Sequence, residues 1–359
     1  MTKAPVFLTG LPEAQQVPGP AGTDLLSDAL RQLRLSGSAL LRGDFTSPWA
    51  WSAPHSSAIA GVVGTPDRRI MLFHIVADGH CWIQLDGQPR VELQAGELVV
   101  LPHGDPHQMG CGEAEPIQVG SLFPAPPWRH LPVLRHGGTG ALTRIVCTYL
   151  SFDVPLFNPL LASLPSLLVL RRADGSGRDW IRSSVRYIVD DSLRGQSGAS
   201  FLMDRLTELL FLEIVRLHLA ALPQGESGWL AALQDRHVAR ALHLLHTRTG
   251  HPWTIATLAQ EVGLSRSPLE RRFNTMLGMP AMRYLTLWRL QRASALLADG
   301  RRPVGTIAAD VGYASEEAFS RAFKRHTGHS PSQWRRQALH QPFRPARGLR
   351  PAPESGSRG

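Results

Sequence analysis

Two well-separated stretches of this chain say nearly the same thing, and that repetition limits the possible folds more than any other feature. GLSRSPLERRF occupies 263–273 and GYASEEAFSRAF occupies 312–323. Each follows apolar residues at helical spacing: Ile255, Leu258, Ala259 and Val262 before the first, Ile307, Ala308 and Val311 before the second. Gly263 and Gly312 then stand where a helix end favours a left-handed residue. Ser265 and Ser315 are placed to cap a following helix. The predicted inward face of that helix is Leu269, Phe273 and Met276 in the first copy, and Phe319 and Phe323 in the second. Pro268 falls in a first turn, where its missing N–H costs little. Helix, glycine turn, capped helix is the helix-turn-helix layout, and it is predicted twice. Val238, Ala241, Leu242 and Leu245 predict a helix ahead of both copies. PAMRYLTLWRLQRASALLADG (280–300) predicts a connecting helix, packed through Leu290, Ala293 and Leu297.

The second turn is one residue longer than the first. With that allowance Ser265 aligns with Ser315, Leu269 with Phe319, Arg271 with Arg321 and Phe273 with Phe323. A helical repeat that only maintains a core explains the apolar pairs. It does not explain the arginines, each two residues from an inward Leu or Phe and so expected to point outward. Arginine donates two hydrogen bonds to guanine O6 and N7 in the major groove. Two such helices held ~34 Å apart would meet successive major grooves on one face of B-DNA. Charge agrees with this reading. Residues 231–340 hold sixteen Arg/Lys against seven Asp/Glu, or +9, and 341–359 hold four against one, or +3. The formal total is +9, which leaves −3 for everything before. A basic final third on a near-neutral front suggests a polyanion partner there.

Residues 229–337 resemble the DNA-binding domain of the AraC/XylS family of bacterial transcription regulators. GYASEEAFSRAFKRHTGHSPSQWR (312–335) carries that family's GY turn, F-x-R-x-F-K core and G-x-S-P-x-x-W-R close, and TIATLAQEVGLSRSPLERRF (254–273) matches the first motif more loosely. The resemblance implies that the second helix of each unit reads bases. By position this points to Ser267, Glu270 and Arg271 in the first copy and Glu317, Ser320 and Arg321 in the second. The two acidic residues either accept from cytosine N4 or solvate a helix start. Arg266, Arg272, Lys324 and Arg325 are assigned to phosphate, which gives affinity without sequence information.

From about Gly37 to Leu150 the texture changes to short apolar runs, such as IMLFHIV and ELVVLP, separated by DG, GD and PHG turns. This predicts strands in a small barrel or sandwich. GELVVLPHGDPH (96–107) fits G-x5-P-x-G-x2-H and resembles the second motif of the cupin barrel, which aims His107 into the barrel mouth. With SPWAW (47–51) and FHIVADGHCWIQLDGQPRVELQAGE (73–97), the run is similar to the cupin-type sensor found ahead of some AraC-type DNA-binding domains. The His-x-His and Glu of the first metal-binding cupin motif are missing; TPDRR and Leu72 stand there instead. No metal or other cofactor is therefore expected. Zinc through His74, His80, Cys81, Cys111 and His107 is the alternative, although their spacing follows no standard pattern. His74, Trp82 and His107 are the candidates for an effector pocket, each with plain core or surface as its other reading.

The expected fold is multidomain α+β: a cupin-like β-barrel with a helical extension, then an all-α domain with two helix-turn-helix units. The expected divisions are a flexible lead-in (1–23), the barrel (24–175), a helical dimerisation or packing segment (176–222) broken at GQSG, a linker (223–228), the DNA-binding domain (229–338) and a disordered basic tail (339–359). The three cysteines form no CxxC and fit a reducing cytoplasm. MTKAPVFLTGLPEAQQVPGP has no apolar core of signal-peptide length, and no run reaches membrane-span length. Expected partners are double-stranded DNA, a small-molecule effector, a second copy of the chain and RNA polymerase, with no membrane. The competing reading is a metal-dependent cupin enzyme with an appended helical module.

Overall fold

The structure, a computed structural model, describes residues 4–8, 25–31, 33, 35–61, 63, 65, 68–124, 131–153, 156–171, 179–194, 199–223 and 225–340. Among them twelve strands run in the order β1 (Val6–Leu8), β2 (Ser36–Thr46), β3 (Trp49–Ala53), β4 (Arg68–Asp78), β5 (His80–Leu85), β6 (Val91–Gln94), β7 (Leu98–Leu101), β8 (His107–Cys111), β9 (Ile117–Gln118), β10 (Val133–Gly137), β11 (Leu142–Asp153) and β12 (Leu168–Leu170). They form a seven-stranded sheet, β1-β12-β7-β4-β11-β2-β10, and a five-stranded sheet, β6-β5-β8-β3-β9. Pairing is antiparallel except for β1 with β12, β2 with β10 and β3 with β9.

The unbroken apolar run of β4 has a direct cause. Ile70, Leu72 and Val76 face the core enclosed by the two sheets, while Met71, Phe73 and Ile75 face helices on the outside. A strand buried on both faces loses the alternation of a half-exposed strand. The covering helices are α1 (Leu25–Arg31), α4 (Asp179–Arg194) and α5 (Ala199–Ala221); α2 (Ser57–Ala60) and α3 (Pro159–Ser163) are short. On α5, Met203, Leu210, Phe211, Ile214 and Val215 are buried, which accounts for its apolar character. Its opposite face leaves Leu202 48% and Leu209 49% exposed, and Trp180 and Tyr187 of α4 are each 40% exposed. No helix among the described residues is long and apolar enough to cross a membrane.

The last third is helical: α6 (Trp229–Ala232), α7 (Arg236–Thr247), α8 (Ile255–Glu261), α9 (Arg266–Leu277), α10 (Ala281–Ala298), α11 (Val304–Asp310), α12 (Glu316–Thr327) and α13 (Pro331–His340). Its two units have different surroundings. Leu242, Leu258, Leu269, Phe273, Tyr284 and Trp288 belong to one continuous core with Leu26, Phe73, Phe152 and Phe211 of the front half. Leu290, Ala293, Leu297, Ile307, Ala308, Val311, Phe319 and Phe323 form a separate core for the second unit.

Two expectations, the loose lead-in and the Ser265 cap, need correction. The lead-in is not uniformly loose: Val6–Leu8 is a strand, parallel to Leu168–Leu170. Three apolar residues paired with a strand this far along the chain leave no local pattern to read. The described residues of 223–228 form no helix or strand, and Gly228 N–H donates to Met276 O at 2.7 Å. Ser265 stands at the N-cap of α9 but makes no side-chain capping bond, whereas Ser315 accepts from Ala318 N–H at 3.2 Å. The third helical residue of α9 is Pro268, which has no N–H to give. The GQSG break, residues 9–23 of the lead-in and 341–359 of the tail lie outside the described residues.

Candidate functional site

Each helix-turn-helix is built from local rules. Thr254 and Thr257 form a reciprocal capping box that starts α8. Gly263 (φ +70°) and Gly312 (φ +85°) take the left-handed conformation that the turns require. At Gly312 space is also short, since a Cβ would stand 2.7 Å from the Gly250 carbonyl oxygen. The turns swing α9 and α12 onto their cores, where Leu269, Phe273, Phe319 and Phe323 are fully buried.

Burial of those four residues turns the other face of each helix to solvent. Arg266, Ser267, Glu270, Arg271, Glu317, Arg321, Lys324 and Arg325 are exposed, and Ser320 is half-buried. Arg271 and Arg321 thus occupy equivalent outward positions. Glu317 is held below the usual glutamate range by hydrogen bonds from its own backbone N–H and from the Ser315 side chain. That geometry favours its helix-start role. Arg272, also exposed, is engaged within the domain: its Nη1 is 2.8 Å from Asp235 Oδ2 in an ion pair.

Other basic side chains are similarly engaged. Arg289 donates to the Thr249 and His251 carbonyls at 2.9 and 2.7 Å, Arg302 pairs with Asp310 at 2.6 Å, and Arg335 donates to the Arg302 carbonyl. The charge surplus of this domain therefore overstates the charge available to a polyanion.

Inside the barrel, strand alternation brings His74 (β4), His107 (β8), Trp51 (β3) and Cys147 (β11) together. His107 Nδ1 is 2.9 Å from the Asp105 carbonyl, His107 Nε2 is 2.9 Å from His74 Nε2, and His74 Nδ1 is 2.8 Å from Cys147 Sγ. The network assigns the protons. A carbonyl only accepts, so His107 Nδ1 carries hydrogen and its Nε2 accepts from His74 Nε2–H; His74 Nδ1 then accepts from the Cys147 thiol. Burial lowers His107 to about 4. Burial, reinforced by His107, holds His74 well below the usual histidine range, and burial raises the Cys147 thiol. The chain of three is neutral near pH 7.

Trp51 lies edge-on to both imidazoles, with ring centroids 5.8 and 5.6 Å away. Its buried Nε1–H has no hydrogen-bond partner in the structure. An unpaired buried donor beside a histidine pair is a feature that a ligand acceptor would satisfy. Trp51 lies within SPWAW but is not among the pocket candidates of the sequence; the signal for it is its period-two relation to Trp49 and Ala53, which share its core. Cys147 was missed because nothing local ties β11 to His74.

Trp82 does not join this group. Its strand neighbours Cys81 and Ile83 face the lumen, so Trp82 faces out. There it covers Gly110, its pairing partner, beneath Arg90 at 4.1 Å. His80 contacts Cys111 (3.5 Å) rather than the histidine pair. Among the described residues no group of three or more His, Cys, Asp or Glu is arranged to hold a metal.

Comparison with known proteins matches residues 24–220 to a family described as cupin and residues 258–337 to a helix-turn-helix domain. A putative AraC-like transcription regulator of Streptomyces antibioticus is 31% identical over 277 residues, 76% of this chain and 88% of that protein. The HTH-type transcriptional regulator AlkR of Acinetobacter baylyi is 29% identical over 321 residues, 88% of this chain and 100% of that protein. A solved transcriptional regulator from Chromobacterium violaceum with an AraC-type DNA-binding domain is 30% identical, covering 30% of this chain and 95% of that one, with a TM-score of 0.28.

Proposed function

Because the chain belongs to the AraC-like family of helix-turn-helix transcription regulators with an N-terminal cupin domain, we propose that Arg271 and Arg321 are its paired base readers on double-stranded DNA. That it is a DNA-binding transcription regulator follows from the family. One observation carries the finer reading: two helices with matched buried faces each present an exposed arginine at the same position. Ser267, Glu270 and Ser320 share those faces and complete the base-reading set. Arg266, Lys324 and Arg325 hold phosphates, while Arg272 is reassigned to its ion pair with Asp235. Selection of duplexes from a random pool, repeated with Arg271→Ala and Arg321→Ala, tests this. Each substitution should relax the preference at its own base position.

The barrel is the sensor in this reading. Its effector is a small molecule with an apolar body and a hydrogen-bond acceptor, met by Trp51 Nε1–H beside the His74–His107 pair. It is bound and not transformed; the relatives are named as regulators. Binding acts through its differing affinity for two arrangements of the protein. The exposed Trp180, Tyr187, Leu202 and Leu209 form the homodimer face, and the helical domain also meets RNA polymerase. The location is the cytoplasm, where the DNA is. Duplex affinity titrated against candidate apolar acceptors tests the sensor role, and sedimentation of Leu209→Glu tests the dimer.

A further inference from the structure

The two helix-turn-helix cores are separate, and α10 passes from one to the other. Tyr284, Leu285 and Trp288 lie in the first, Leu290, Ala293 and Leu297 in the second. The seam between them falls beside Gln291, which is polar yet only 6% exposed. A segment of the front half is docked there. Leu156 packs on the second core and its neighbour Phe157 packs on the first. The Phe157 ring stands edge-on to Tyr284, centroids 5.2 Å apart at 82°. Phe157 N–H donates to Gln291 Oε1 at 3.0 Å. Tyr284 and Gln291 are seven residues apart, two helical turns, and so share a face of α10. A buried amide satisfied by a backbone N–H of another module favours one docking geometry, because any other leaves it unpaired.

We infer that Leu156–Phe157 is a positioning wedge: it fixes the angle between the two DNA-reading units at the seam of α10, and so gives the barrel control of half-site spacing. The inference rests on the DNA-binding reading above. The units also meet where Gly312 closes on Gly250, so the wedge is a second brace, supplied by the front half. Its connection to the lumen is short. β11 carries Cys147, bonded to His74, and ends at Asp153, three residues before Leu156 in sequence. The pairing of β11 with β2 shifts register between Cys147 and Thr148, next to the lumen contact. Arg68 on β4 meets Asp153 at 3.3 Å and anchors the strand end from which the wedge departs. A ligand that prefers one position of β11 thereby prefers one position of the wedge.

The test uses the full chain and a duplex selected by it from a random pool. Two further duplexes shift the half-site spacing by a single base pair in either direction, and a fourth keeps only the first half-site. Wild type should lose at least about fivefold in affinity on the shifted duplexes. Phe157→Ala should reduce that penalty to about twofold or less while leaving the single half-site affinity unchanged. Gln291→Met removes only the acceptor at similar volume, and carries the test if Phe157→Ala does not fold. Retention of the full spacing penalty in a folded variant overturns the wedge, as does a wild type indifferent to spacing. Failure of wild type to select any duplex overturns the DNA-binding reading itself.

Discussion

Arg272 Nη1 lies 2.8 Å from Asp235 Oδ2, so a side chain of the first recognition helix secures the N-cap of α7. Asp235 Oδ1 also accepts from the His237 and Val238 N–H groups at 2.9 and 3.0 Å. Burial opposes ionisation of Asp235, but these bonds and Arg272 outweigh it and hold the carboxyl below the usual range. The stability this contributes is present above the unfolded value of about 3.9 and lost as pH falls through the lower folded value. Asp235→Ala should cost about 1–2 kcal/mol and Arg272→Ala about 0.2–1 kcal/mol in urea melts. Arg272→Ala should leave the salt dependence of DNA binding unchanged, whereas Lys324→Ala should lower its slope by about one. An equal drop for both would return Arg272 to the phosphate contacts.

Arg321→Ala should cost about 1–3 kcal/mol of DNA affinity and relax preference at one base position. The exposed guanidinium, six residues past a working cap, leaves the fold when removed without disturbing Phe319 or Phe323. Binding measured on duplexes differing at each position gives the answer. Uniform weakening on every duplex would make Arg321 a phosphate contact.

Repetition made the helical half legible. Helix stripes, glycine turns and the pairing of Arg271 with Arg321 are short-range patterns, and their inward residues are buried except Ile255 and Met276, which are half-buried against the same core. The barrel was legible as strands but not as partners. His74 and His107 meet through a register between distant strands, and Trp82 takes its other reading because period-two alternation with Cys81 and Ile83 turns it out of the lumen. Contacts between modules, such as Phe157 with Tyr284, leave no local trace at all. Charge counting could not separate an arginine facing solvent from one bonded to carbonyls, as Arg289 is.

The buried imidazoles make an acid limb. His107 is lowered by burial to about 4, while in the unfolded chain it titrates near 6.5. As pH falls from about 6.5 toward 4 the unfolded chain takes up a proton that the folded chain refuses. Stability should drop by up to about 1.4 kcal/mol per pH unit for each such histidine. His74, and His246 in the helical domain, act in the same direction. His107→Gln should make the decline between pH 6.5 and 4 shallower in urea melts. An unchanged slope would mean that the ring is not held neutral in the lumen.

The two serine caps provide a direct comparison. Ser315 Oγ accepts from Ala318 N–H, the third helical residue of α12, while Pro268 at the equivalent place in α9 leaves Ser265 without that donor. Ser315→Ala should therefore cost about 1 kcal/mol, and Ser265→Ala only a few tenths. The cause can be isolated in a double-mutant cycle. Pro268→Ala restores an N–H at the third position, and in that background Ser265→Ala should become costly, with a coupling of about 0.5–1 kcal/mol. Chemical denaturation of the four chains measures it. Zero coupling would mean that the backbone path before α9, rather than the missing proline donor, keeps Ser265 from capping.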